Sequence, residues 1–135
     1  MAGSRAVIFK GIRKDNGETV KGAYFCMKHN DGRDHIHHFI IPNDTDISKG
    51  RKIEEIQVEI TEESLSQYTG VHDAKRNEIW EKDICCVRKT GVLVECVIIY
   101  WNGSFFAKET GKTDDEASMI ELSRLESNGY TIEVK

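Results

Sequence analysis

Two Asn-Gly pairs set between runs of β-branched and aromatic residues constrain this chain more than any other feature. Asn16-Gly17 separates residues 5–12 from 19–28, and Asn102-Gly103 separates 92–101 from 104–108. Asn-Gly readily takes positive φ at both positions, the geometry that lets a two-residue turn join twisted antiparallel strands. Hairpins are therefore predicted at both places. Centring the second on Asn102-Gly103 sets Tyr100 opposite Phe105 as a cross-strand aromatic pair.

The rest of the chain reads along the same lines. In 19–28, Val20, Gly22, Tyr24 and Cys26 share one strand face, and Ala23, Phe25 and Met27 the other. Asn30-Asp31-Gly32 turns the chain into a third strand, 35–41, ended by Pro42; residues 43–51 are loop. Residues 53–60 fit both a helical stripe and a strand, and four β-branched residues in eight decide for strand. Residues 61–67 read as one or two helical turns, with Thr61 as cap and Glu62 and Glu63 at the start, where negative charge is favoured. Tyr68 then packs and Gly70 closes the turn. Residues 84–87 form a short strand and 88–91 a turn. Only Glu95 interrupts the apolar run 92–101, which predicts cover on both faces. Ser118-Met119-Ile120-Glu121 has the form of a capping box opening a short helix through Leu122 and Leu125, and Asn128-Gly129 leads into a last strand, 130–134. The expectation is a mainly β protein, one domain over 1–135, with an N-terminal meander sheet (1–60) and a C-terminal half (61–135) curling into a small SH3-like barrel with two short helices.

Composition narrows the function classes. At 135 residues the chain can bury a core without staples, and 39% hydrophobic and 31% charged residues are those of a globular protein. The longest apolar run, 96–101, is far short of the roughly 18 residues a membrane helix needs. The apolar patch after Met1 is too short for a secretion signal, so the protein is expected in the cytosol. Cys26, Cys85, Cys86 and Cys96 lack CxxC spacing and read as reduced, buried thiols. The net charge is −4, and residues 53–63 and 109–126 carry −5 and −4 of it, leaving +5 elsewhere. A grip on nucleic acid needs a concentrated basic face, which these totals disfavour without excluding.

Gln67-Tyr68-Thr69-Gly70, the charged turn 71–78, Ile79-Trp80 and Glu81-Lys82-Asp83-Ile84 form a connector able to join two sheets. Here the chain resembles the YopX family of bacteriophage and prophage proteins. The resemblance is carried by Phe9-Lys10-Gly11 and 13–18 with Val20 and Gly22, then by Gln67 to Gly70, Asp73, Glu78-Ile79-Trp80-Glu81 and Asp83-Ile84. Two departures stand out: the family usually has a glycine-containing turn where this chain has Lys75-Arg76-Asn77, and a glycine where it has Lys82. Asn77 is expected to supply the left-handed backbone position. The resemblance implies a phage-encoded protein of the bacterial cytosol and brings no activity with it.

Candidate chemistry is sparse. His35 and His37 share a strand face, and His29 or Cys26 across the turn offers a third zinc ligand, yet no ligand spacing characteristic of zinc recurs and a solvated face accounts for the same residues. Cys85-Cys86 has no neighbouring base. Glu81 and Asp83 more simply orient a turn than perform acid-base work. A nucleophile-histidine-acid set, a phosphate loop and a dinucleotide fingerprint are absent, so no enzyme and no cofactor is expected. Trp80, Tyr100 and Trp101, rimmed by Lys75, Arg76, Lys82 and Arg88, make a candidate binding surface, with Trp101 as its hot spot. The acidic loop 109–115 helps select partners through charge. The reading is a non-enzymatic accessory protein that contacts a host or phage protein, with homo-oligomers through sheet edges as a further expectation. A nucleic-acid-binding module is the alternative, and a histidine-based metal enzyme ranks below both.

Overall fold

The computed structural model describes residues 7–29, 35–46, 48, 50–113 and 117–135. The chain divides into two units, Met1–Gln67 and Tyr68–Lys135.

In the first unit, β1 (Phe9–Ile12), β2 (Thr19–His29) and β3 (His35–Pro42) form the expected meander. Asn16 closes the first turn by accepting the Glu18 amide at 2.9 Å, while Arg13 N bonds Glu18 O at 2.9 Å. The turn at Asn30-Asp31-Gly32 lies outside the described residues, but the β2–β3 register runs from Gly22↔Pro42 to His29↔His35. Residues 53–60 do not form one strand. Ile53–Ile56 is a single helical turn (α1), closed by Gln57 N on Ile53 O, and only Val58–Ile60 (β4) is extended. Val58 and Ile60 have Ile40 and His38 opposite them on β3, whereas Ile53 points into solvent at 53% exposure. Val20, Ile40 and Ile60 form the core on one face, with Phe9, Tyr24, Val58 and Leu65 packed round them. A Cβ on Gly22 would lie 1.9 Å from the Ile41 carbonyl oxygen, so only glycine fits where β2 meets β3.

Residues 61–67 are less helical than predicted. A 3-10 turn covers Glu62–Ser64, and the Thr61 side chain does not cap it. Ser64 does the stitching instead: its hydroxyl donates to Thr61 O (2.8 Å) and accepts from Ile12 N (2.7 Å). From Ser66 the chain is extended as β5 (Ser66–His72), with Ser66 and Gln67 opposite Lys10 and Phe9.

In the second unit β5 pairs with β6 (Glu78–Trp80) across an irregularity between Tyr68 and His72. Gly70, at φ 82° inside it, bends a strand rather than ending a helix. Next come β7 (Ile84–Lys89), β8 (Val92–Trp101), β9 (Ser104–Glu109), β10 (Met119–Glu121) and β11 (Thr131–Val134), in an antiparallel sheet of order β10-β9-β8-β7-β11. Asn102 and Gly103 have φ of 51° and 84°, as the predicted tight turn requires, and Tyr100 faces Phe105 with ring centroids 5.1 Å apart. β10 and β11 are the two ends of that order, and no pairing among the described residues joins them, so closure into a barrel is not shown. The capping box at 118–121 is not formed either. Met119–Glu121 pairs with β9, and the Glu121 carboxylate accepts from Ser104 (2.8 Å) and Ser123 (3.2 Å). Two 3-10 turns, Leu122–Arg124 and Glu126–Asn128, follow and bury Leu122 and Leu125 against Ile79, Cys85, Val87, Cys96, Ile98, Ala107 and Ile132.

Candidate interaction surface

Strand alternation gives the second sheet two unlike faces. Cys85, Val87, Cys96, Ile98 and Ala107 point inward to the core. On the outer face the register aligns Ile84, Val97 and Lys108 in one row, Ile99 and Phe106 in the next, and Trp101 with Ser104 in the last. Trp101 is 57% exposed and meets the Phe106 ring edge-on at 5.7 Å. The expectation that both faces of β8 are covered is therefore corrected: Val92, Leu93, Tyr100 and Trp101 are all more than half exposed. A run of apolar residues signals burial only where a second layer of chain lies over it, and sequence does not carry that information. Charge surrounds the apolar rows, with Glu95 paired to Lys135 and Arg88 opposite Leu93.

The structure separates the residues singled out from the sequence. Trp80 is 4% exposed and packs on Tyr68 with centroids 5.3 Å apart, which removes it as a contact residue. Its amide donates to the Asp83 carboxylate at 2.8 Å, and Asp83 N returns to Trp80 O at 3.1 Å. Tyr100 and Trp101, being adjacent in a strand, lie on opposite faces, and Tyr100 shares the side of Phe105. Lys75 and Arg76 sit on the β5–β6 turn, where Lys75 lies 3.8 Å from Glu133; Lys82 sits on the β6–β7 turn. Arg88 shares the outer face with Trp101, but it stands opposite Leu93, eight residues along β8, or about 26 Å away. Ile84, Val97 and Ile99 were not singled out. Their signal was the odd-even alternation of β7 to β9 read as one sheet rather than strand by strand.

Asp73 organises the turn that the resemblance singled out. Buried at 6% exposure, its carboxylate accepts from Asn77 N (2.7 Å), Lys75 N (2.9 Å), Val134 N (3.0 Å) and Asn77 Nδ2 (3.2 Å). Burial alone would push this carboxyl up, but the four donors outweigh it and hold it below the usual range. The left-handed residue of the turn is Arg76, at φ 67°, and not Asn77, whose amides are engaged by Asp73. Lys82 also has positive φ, 75°. Arg76 and Lys82 thus both hold a glycine-like backbone with a longer side chain, at roughly 1 kcal/mol each.

His37 Nδ1 lies 3.0 Å from Glu59, which also takes Lys14 at 2.9 Å, and His38 Nδ1 lies 2.6 Å from the Tyr24 hydroxyl. His35 is exposed, and the side chain of His29 lies outside the described residues. Among the described residues no three His, Cys, Asp or Glu side chains are placed to hold a metal. All four cysteines are free thiols, and Cys26 is exposed, not buried as expected. Burial pushes Cys85 up to about 12 and Cys96 up to about 11, the reverse of an activated thiol. An apolar groove of about 400 Å³ lies between Val94, Cys96, Ala107, Ile120 and Tyr130, with the Lys89 ammonium 4.8 Å from the Tyr130 ring centre. Among the described residues no helix is long and apolar enough to cross a membrane.

Fold and surface together define a small, mainly β protein of two antiparallel sheets with an aromatic outer face. The chain belongs to the YopX family, whose model, described as YopX protein, matches residues 9–132. No curated protein and no solved structure matches it.

Proposed function

We propose that this YopX-family chain is a non-catalytic accessory module that docks onto a protein of the phage or its bacterial host through the outer face of its second sheet. The supporting observation is the exposed Trp101, backed by Phe106 and continued by Ile99, Val97 and Ile84. An aromatic anchor on a rigid strand, with apolar neighbours and a charged border, is the composition that concentrates binding energy in protein contacts. The partner that fits is an apolar, pocketed protein surface with charges of both signs at its rim, matching Glu95, Lys135, Arg88 and Glu133. The basic residues Lys75, Arg76, Lys82 and Arg88 are spread over three elements, so they add to such a border more readily than they form one phosphate track.

The test is affinity capture from infected cells with wild type, Trp101→Ala and Tyr100→Ala. Trp101→Ala is expected to fold with an unchanged melting temperature and to lose the captured partner at least tenfold, the effect of about 1.4 kcal/mol; Tyr100→Ala, on the other face, retains it. Equal capture by Trp101→Ala overturns the assignment.

A further inference from the structure

The first sheet has a second face that neither its core nor the proposed protein contact uses. Register places Lys10, Lys21, Ala23, Phe25, Met27, His37, Phe39 and Glu59 on the side opposite Val20, Ile40 and Ile60. On that side the Phe25 and Phe39 rings stack at 5.3 Å with 21° between their planes, and His37 continues the stack on Phe39 at 6.3 Å and 23°. Met27 beside them is half exposed. Phe25 and Phe39 are half-buried on this side, and each Å² of ring left in water forgoes about 25 cal/mol of stabilisation. Set across β2 and β3, with His37 next to Phe39 along β3, they offer an aromatic surface of the kind on which bases stack.

Cations lie on the same surface. Lys10 and Lys21 are cross-strand partners, four residues along β2 from Phe25, or about 13 Å. Lys14 reaches the opposite border, where it and His37 share the Glu59 carboxylate. That sharing offsets the acid on the face, and Glu59 is held below the usual carboxylate range, first by Lys14 and then by His37. Rings in the middle and ammonium groups beyond them match an unpaired strand, whose bases and phosphates are both accessible. A duplex hides its base faces and would meet only the lysines.

We infer that this face of the first sheet is a stacking platform for single-stranded nucleic acid, with Phe25, Phe39 and His37 under the bases and Lys10 and Lys21 toward the phosphates. The site shares no residue with the Trp101 face.

The full chain is titrated into short labelled oligo-dT, short labelled oligo-rU and a duplex of equal length, and fluorescence anisotropy is read at about 50 and 200 mM salt. Binding to at least one single strand is expected, and preference between the two names DNA or RNA as the ligand. Phe25→Ala and Phe39→Ala should each weaken it about tenfold, the loss of one stacked base. Lys10→Gln with Lys21→Gln should flatten the salt dependence, and Trp101→Ala should leave binding unchanged. Because the rings also pack on each other, Phe25→Leu and Phe39→Leu are run beside them with melting temperatures; weakened binding at an unchanged melting temperature assigns the loss to stacking. No binding to either single strand, equal binding to the duplex, or indifference to both leucine variants overturns the proposal.

Discussion

Asp73 holds three other residues of the second unit in place, and its four accepted hydrogen bonds exceed what most side chains make. Asp73→Ala leaves the Lys75, Asn77 and Val134 amides without their acceptor. The expected loss is about 2–4 kcal/mol, read by urea unfolding. Because the folded carboxyl is held below its unfolded value, its contribution is complete above about pH 4 and disappears as pH falls through the lower folded value. Stability measured from pH 6 downward should therefore fall more steeply below pH ~4 in wild type than in Asp73→Asn. At this scale the sequence is informative about turns and silent about geometry. Asn102-Gly103 announces its own backbone, whereas nothing local in Lys75-Arg76-Asn77 says that Arg76 takes the left-handed position while Asn77 serves Asp73. Asp73 in turn accepts from Val134 N, 61 residues further on.

At the level of the strand and turn, the hairpins were legible and the elements beside them were not. Each misread stretch, 53–60, 61–67 and 118–121, combines apolar residues with acids in a pattern that fits a helix start as well as a strand edge. What settles them is the presence of a partner strand: β3 for Val58–Ile60, β1 for Ser66 and Gln67, β9 for Met119–Glu121. Such partners are distant in sequence, and a window of ten residues does not contain them. The β2–β3 contact makes the dependence measurable. Gly22→Ala must push the new methyl into the Ile41 carbonyl, and a shift of the β3 backbone is expected to cost about 1–3 kcal/mol. Ala23→Ser, one residue along on the exposed side, is the control and should leave the unfolding midpoint unchanged. Equal midpoints for Gly22→Ala and wild type would mean that the two strands do not approach this closely in solution.

For the molecule as a whole, the thiols report which surfaces are closed. Cys26 is exposed, Cys86 half-buried, and Cys85 and Cys96 are buried with their ionisation pushed up by desolvation. A chromogenic disulfide added to native protein should consume Cys26 first, Cys86 more slowly, and Cys85 and Cys96 only when the second unit opens. Cys26→Ser removes the fast phase alone. The same burial gives stability a ceiling in base. Unfolded thiols ionise near pH 8.5 while Cys85 and Cys96 keep their protons, so stability falls as pH rises from there toward the folded values of about 12 and about 11. The candidate surface was half legible at this level. Trp101 could be placed at a hairpin and called exposed, but Trp80 has the same chemistry and is core. The two differ in whether other strands lie over them.

The bond from Val134 to Asp73, and the pairing of β11 with β7, also fix an order of events during synthesis. The meander of the first unit joins consecutive hairpins and can take shape while later residues are still being added to the chain. The second unit cannot complete its sheet until residues 131–134 have left the ribosome, since the strand they supply pairs with one made about 45 residues earlier and fastens a turn made earlier still. Until then the apolar side chains of β7 and β8 wait in water, and a ribosome stalled before Thr131 would hold a finished first half and a second half with nothing to close it.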